Sequence, residues 1–462
     1  MTRATQLFAT MKAGNDARRL SFGLTERRDA LDRLAEAVRR NEAACIAALK
    51  SDLGRPEAET ILSEVLPVLQ EIAHARKHLR RWMHPRRVWP TLASFGASGR
   101  IERQPRGTCL IIAPWNFPFQ LALGPLVSCL AAGNAAILKP SEMAPATSAL
   151  IARIVAETFP PDLVAVVEGD KDASTELLAL PFDHIFFTGS PAVGRIVMAA
   201  AAKTLASVTL ELGGKSPVIV GPDADLKRAA DWITFGKFLN AGQTCIAPDH
   251  LFVHASVRDA FLAELRARIA RAYGSGEASP HLARIVTPAH ATRLSALVAD
   301  AVAKGAVPLL PGQPRGQSMP PQLVEGTTPG MRLSQEEIFG PILPVLTYTD
   351  LDTVLARING ADKPLALYIF DRDAARIDRI TRATTSGGVG VNLTLAQFSH
   401  PNLPFGGVNT SGIGAAHGEH GFRAFSHERA VLRNRFLLMP LLFPPYTPRV
   451  MRLIHLIKRV LG

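Results

Sequence analysis

Two residues have settings that would suit a nucleophile and a general base. Cys245 closes Gly242-Gln243-Thr244-Cys245, just after a stretch of helical pattern and among little apolar bulk. A cysteine attacks as the thiolate, which needs polarised and accessible surroundings. An isolated cysteine is more often a small, inert core residue. Glu211 lies in Leu210-Glu211-Leu212-Gly213-Gly214-Lys215, an acid at the end of an apolar run and before paired glycines. Glycines at a strand end let the backbone approach another group closely. Buried there, the carboxyl is a candidate general base with a raised pKa; the plain alternative is a solvated strand end. The two residues sit on different elements, so spacing does not establish that they meet.

Other short segments have the chemistry of a dinucleotide site. Phe186-Phe187-Thr188-Gly189-Ser190 follows a strand pattern and opens a helix, where free backbone N–H groups favour phosphate. It is not a GxGxxG fingerprint, and as a bare turn it is weak evidence. Lys139 and Glu142, in Leu138-Lys139-Pro140-Ser141-Glu142, also follow a strand. A carboxylate there accepts hydrogen bonds from ribose hydroxyls, and ligands of open α/β sheets lie at such carboxyl ends. In Pro114-Trp115-Asn116-Phe117-Pro118 the Asn116 amide is a candidate donor to a developing oxyanion, against a default of a structural turn residue.

These segments need a scaffold, and the hydrophobic pattern supplies one. To about residue 83 the pattern is helical, with Leu31, Leu34, Ala35 and Val38 on one face. From residue 108 short apolar runs (109–113, 135–138, 163–167, 184–187, 208–210 and 218–220) alternate with helical segments at 144–157 and 191–203. That alternation predicts βαβ units and a parallel sheet covered on both faces. A second α/β series follows residue 221: a helix from about 225 to 239, a strand at 251–254, a helix at 257–273, and strands at 342–346, 366–370 and 388–392. The Pro- and Gly-rich stretch 305–330 reads as loop or irregular strand.

Composition bounds the rest. The 462 residues are 47% hydrophobic and 20% charged, as in ordinary globular proteins, which excludes a disordered or fibrous chain. The 52 Lys+Arg against 40 Asp+Glu give +12, much of it arginine spread along the chain at Arg18, Arg27, Arg39, Arg55 and onward. This reads as a solvated basic face rather than a nucleic-acid site, because no RNP-like or zinc-finger pattern accompanies it. Four cysteines, Cys45, Cys109, Cys129 and Cys245, are scattered and never form CxxC, as expected of a reducing compartment. No secretory signal is visible in residues 1–20. His74 and His78, and His417 and His420, lack a matched third ligand, so no metal is expected. The tail from Arg449 alternates apolar and basic residues. Its plain reading is a docked terminal helix; the sharper one is an interfacial helix on anionic lipid.

Taken together the motifs resemble the NAD(P)-dependent aldehyde dehydrogenase superfamily. Residues 114–119, 138–142, 187–190, 210–217 and 242–245, then Glu336-Glu337-Ile338-Phe339-Gly340-Pro341 and Leu403-Pro404-Phe405-Gly406-Gly407, occur in that family's order. They span roughly residues 100–425. The compact N-terminus, residues 240–249 and Pro364-Leu365-Ala366-Leu367-Tyr368-Ile369-Phe370 are most similar to the class-three and fatty-aldehyde branch.

The resemblance implies roles. Cys245 matches the nucleophile, Glu211 the base that activates the deacylating water, and Asn116 with the Cys245 backbone N–H the oxyanion hole. Lys139 and Glu142 match contacts to the adenosine ribose, Trp115, Gly189 and Ser190 the pyrophosphate region, and Glu337 the nicotinamide-ribose ligand with Phe339 beside it. Asn409, Leu393 and Ala416 depart from the family pattern, outside the motifs assigned to chemistry. The implied fold is α/β: a cofactor-binding domain over 1–211, a catalytic domain over 212–400, and 401–462 returning to the cofactor domain and tail. A small β bridging element draws on 88–103. The implied activity oxidises an aldehyde to an acid with NAD, NADP being the other candidate. Rival readings are a CoA-acylating relative and a non-catalytic protein of the same fold. An apolar or aromatic aldehyde, a homodimer and a cytoplasmic location, with membrane contact only through the tail, complete the expectations.

Overall fold

The computed structural model describes residues 2–91, 94–274, 279–310 and 314–461. Along the chain β1 (Arg86–Val88) and β2 (Ala97–Pro105) come first. Then follow β3 (Thr108–Ile112), β4 (Ala135–Lys139), β5 (Val164–Val166), β6 (His184–Thr188) and β7 (Ser207–Glu211). The next group is β8 (Pro217–Val220), β9 (His250–His254), β10 (Val307–Pro308), β11 (Gln322–Glu325), β12 (Ile342–Tyr348), β13 (Ala366–Phe370) and β14 (Gly388–Val391). Last come β15 (Gly412–Ile413) and β16 (Ser426–Asn434).

The strands form three sheets, ordered β15-β7-β6-β3-β4-β5, β10-β11-β12-β9-β8-β13-β14 and β1-β2-β16. The first is parallel except for β15, which runs antiparallel to β7 and sets Gly412 opposite Glu211. The second is parallel except for β10. The third is antiparallel. Strands such as Thr108–Ile112 and Ala135–Lys139 are buried end to end, which is why they read as unbroken apolar runs rather than alternating ones.

Helices cover both faces. On one side of the six-stranded sheet the N-terminal helices Leu24–Arg40 and Leu66–Met83 share a core with Gln120–Ala132 and Pro145–Thr158. On the other lie Arg3–Ala13 and Pro191–Ala202. The seven-stranded sheet packs Leu226–Phe238, Arg258–Tyr273 and Pro288–Ala303 against one face. Leu351–Asn359 lies on the opposite face.

Two expectations need correction. Gln322–Glu325, inside the Pro- and Gly-rich stretch, is a regular strand paired in parallel with Ile342–Val345, and Gln322, Leu323 and Val324 are buried. Four residues are too few to show a period, and the pairing partner supplies the order. Residues 311–313 of that stretch lie outside the described residues. The arginines are not all a solvated face either. Arg27 is buried with its guanidinium on the Phe22 and Ala131 carbonyls, and Arg55 is buried against Glu64.

The tail helix Pro448–Leu461 keeps Leu453, Ile454 and Ile457 half-buried and leaves Met451, Leu456 and Val460 exposed. Among the described residues no helix is long and apolar enough to cross a membrane.

Candidate active site

The parallel strands of the six-stranded sheet deliver one set of side chains to one edge. β3 runs out into Pro114-Trp115-Asn116, β4 ends on Lys139, β6 on Thr188 and β7 on Glu211. The chain steps from β3 outward to β4 and β5, then returns to place β6 and β7 on the other side. The carboxyl ends of β3 and β6 therefore flank the crevice where open α/β sheets hold ligands.

That crevice has the donor set for a dinucleotide. Ser190 caps the helix Pro191–Ala202, its hydroxyl accepting from Val193 N at 3.4 Å, so Gly189 and Ser190 sit at a helix start whose N–H groups favour phosphate. Gly189 has no room for a side chain: a Cβ would stand 2.5 Å from the Phe187 ring. Lys139 is buried and its ammonium donates to Glu142 at 2.8 Å. The Trp115 ring meets Phe339 edge-on at 5.4 Å and His290 at 5.5 Å.

The loop carrying Glu337 is pinned from several sides. Lys215 Nζ donates to Asp249 at 2.6 Å and to the carbonyls of Leu333 and Glu336 at 2.9 and 2.7 Å. Arg293 donates to the carbonyls of Glu337 and Ile338. Gly214 N donates to the Glu337 carboxylate at 3.0 Å. Burial pushes the Glu337 carboxyl up to about 7, against the pull of that hydrogen bond. Phe339 follows with φ +52°, a left-handed backbone that is costly for an aromatic residue and marks a functional loop.

The candidate nucleophile and candidate base come together across the two sheets. Glu211 ends β7, whereas Cys245 ends the loop before β9, and both line one cavity of about 340 Å³. Cys245 is half-buried. The N–H groups of Cys245 and Ile246 point at its sulfur and favour the thiolate. Burial, then the carboxyls of Glu337 and Glu211, outweigh them and push the thiol up to about 12. The site around it therefore favours the protonated thiol, although the sequence there has little apolar bulk.

Glu211 is buried, and neither carboxylate oxygen has a hydrogen-bond partner. Burial alone holds its carboxyl well above the ordinary range. An orphaned carboxyl at this depth is costly, and it faces the same cavity as the thiol. Asn116 is buried just outside that lining, its Nδ2 donating to the Gln243 carbonyl at 3.1 Å. The remaining walls are largely apolar, with Leu62, Leu66, Leu121, Trp232 and Phe235 among them, and Ala416 at the side where the family pattern often has an aromatic.

The model of the aldehyde dehydrogenase family matches residues 4–431. The chain belongs to that family. It is thus an NAD(P)-dependent aldehyde dehydrogenase and oxidises aldehydes. This dehydrogenase is 41% identical, over 91% of its length and 92% of the relative, to the 4,4'-diaponeurosporen-aldehyde dehydrogenase of Staphylococcus aureus. It is 38% identical to aldehyde dehydrogenase family 3 member A2 of Macaca fascicularis, over 94% of its own length and 88% of the relative. The solved substrate-bound structure of Staphylococcus aureus AldH superposes with a TM-score of 0.94 at 39% identity, covering 99% of this dehydrogenase and all of that chain. The α/β fold and the class-three, fatty-aldehyde branch expected from the motifs are borne out.

Sequence reasoning passed over several residues of this site. The hydroxyls of Thr188 and Thr244 line the cavity with no partner. Glu71 and His417, from far ends of the chain, meet at 3.5 Å in its wall. Its place at the carboxyl end of a strand is the signal that could have found Thr188. Nothing in the spacing pointed to Glu71 and His417, which are brought together only by the packing of Leu66–Met83 against the C-terminal segment.

Proposed function

We propose that this dehydrogenase converts an apolar aldehyde, aromatic or medium- to long-chain aliphatic, into the carboxylic acid through a thioester on Cys245. The observation that carries the reading is the shared cavity, which holds a cysteine thiol and an orphaned glutamic acid between apolar walls. The sulfur attacks the aldehyde carbon as its proton passes to solvent water, giving a thiohemiacetal oxyanion. That oxyanion is received by the Cys245 N–H and the free N–H of the Asn116 amide. NAD(P)+, when bound, would supply the hydride acceptor for oxidation of this adduct to the thioester. Glu211, ionised, takes a proton from water as that water attacks the thioester, and Cys245 leaves as the acid is released.

Trp115, Gly189, Ser190, Lys139 and Glu142 hold the dinucleotide in this reading, with Glu337 on the ribose next to the nicotinamide and Phe339 packed beside it. The Glu142 carboxylate disfavours a ribose 2′-phosphate and so favours NAD. Its ion pair with Lys139 at 2.8 Å tempers that repulsion, so NADP is accepted as well. Residues 1–211 form the cofactor domain and 212–400 the catalytic domain, with 401–462 returning to the first. The bridging element of β1, β2 and β16 serves a homodimer. Retained Glu211 favours water over CoA as the acyl acceptor. A series of aldehydes of increasing chain length, run with NAD and with NADP, should show kcat/KM rising with apolar size and a free acid as product. Preference for short polar aldehydes, or turnover that needs CoA and yields acyl-CoA, contradicts this.

The tail extends the reading to a surface. Beyond Glu428 the chain has no acid but carries Arg429, Arg433, Arg435, Arg449, Arg452, Lys458 and Arg459. The same stretch exposes Phe436, Leu438, Leu441, Phe443, Leu456 and Val460. A basic, amphipathic segment of this kind fits an anionic bilayer. The enzyme should co-sediment with phosphatidylserine-containing vesicles, less so at high salt, and a variant ending at residue 435 should stay in the supernatant. Equal sedimentation of both forms removes the tail from the account.

A further inference from the structure

The N-terminal helices contribute a buried polar assembly that no motif announces. Arg55 is fully buried and makes three hydrogen-bonded contacts, with its guanidinium also over the Phe117 ring. One arm of its guanidinium pairs with Glu64, the other donates to the Asn116 carbonyl, and Nε donates to Asn240 Oδ1 at 3.3 Å. Asn240 Nδ2 then bridges the carbonyls of Asn116 and Gln243, at 2.9 and 3.1 Å. Glu64 accepts from the N–H groups of Phe119 and Gln120 at 3.1 and 2.7 Å, so the Arg55–Glu64 pair grips the Asn116 turn at both ends. The Asn240 N–H rests on Glu59 at 3.0 Å.

The local backbone is built around these contacts. Asn240, Ala241 and Gly242 are successive left-handed residues, with φ 53°, 52° and 74°. Such a run is unfavourable for Asn and Ala unless its surroundings hold it. Glu64 lies in a π-helical turn, Ile61–Val65, and turns of this kind re-aim side chains at functional sites.

We propose that Arg55 is a positioning residue for the oxyanion hole, acting through Asn116 and Asn240. Both proposed donors, the Asn116 amide and the Cys245 N–H, hang from segments that Arg55 and Asn240 lock together: the turn at 114–119 and the loop at 240–245. Arg55 is not among the residues that line the cavity. Its effect is on where the donors stand when the oxyanion forms. The proposal rests on the thiohemiacetal reading above.

Arg55→Lys is the variant of choice, because it keeps the buried positive charge against Glu64 and gives up the planar fork that reaches Asn116. Single-turnover hydride transfer should slow by up to about 100-fold, as for a small misplacement of a catalytic group, with melting temperature and the KM for NAD(P)+ little changed. Asn116→Ala alone should slow it about 100- to 1,000-fold. In the Asn116→Ala background, Arg55→Lys should cost clearly less than in the parent, because one of the two donors it positions is gone and only the Cys245 N–H remains to be moved. A slow Asn116→Ala enzyme in which Arg55→Lys costs as much as in the parent overturns this proposal alone. An Asn116→Ala enzyme as fast as the parent overturns the oxyanion reading and this proposal with it.

Discussion

Cys245→Ala should lose aldehyde-dependent NAD(P)H formation altogether. The sulfur is the atom that would bond to the aldehyde carbon, and alanine offers nothing to attack with. Removing a covalent nucleophile typically leaves only the slight acceleration given by binding and the oxyanion donors. The fold should survive, since Cys245 is half-buried and truncation to alanine removes one atom. Fluorescence titration should still show NAD(P)+ binding, which separates loss of chemistry from loss of structure. Undiminished turnover by the purified variant would refute the assignment of Cys245.

The second large effect is expected at Glu211, and its form differs. Glu211→Gln should give about one equivalent of NAD(P)H per site and then nearly stop. Thioester formation does not need the Glu211 base in the proposed sequence, whereas its hydrolysis does. A general base at such a step contributes about 100- to 10,000-fold. The stalled acyl-enzyme should be visible by intact mass as an adduct on Cys245.

The pH dependence follows from the same carboxyl. Burial holds Glu211 above its ordinary range, so its protonated form persists to higher pH than an exposed carboxyl allows. The base form appears only as pH rises through that raised value, and turnover should climb with it. Glu211→Gln should lose this rising limb. A variant that turns over steadily with the parent's pH profile would exclude Glu211 as the base.

How much of the fold and site is legible in the sequence depends on range. Strands β3 to β6 are readable because each is a short apolar run buried end to end, as at Thr108–Ile112. Gln322–Glu325 is not, because its order comes from Ile342–Val345 rather than from its own four residues. Cys245 and Glu211 can be named from their settings, but their meeting cannot: one ends a strand of one sheet and the other precedes a strand of the next. Arg55 is illegible for a different reason. An arginine reads as surface charge unless its partner is known, and Glu64, nine positions on across a π-helical turn, falls outside the i, i+4 spacing by which helical pairs are recognised.

The pairing of β15 with β7 also bears on how the enzyme assembles. Glu211 receives its edge neighbour, Gly412, from a segment about two hundred residues later, and Leu212 N reaches Ser411 O at 3.1 Å. During synthesis β7 therefore stands as an open sheet edge until nearly the whole chain has left the ribosome. Such distant closures slow folding, and unpaired edges attract other strands. Nascent chains that end before residue 412 should accordingly depend on chaperones far more than the finished protein does, with the strand that carries Glu211 as the point of vulnerability.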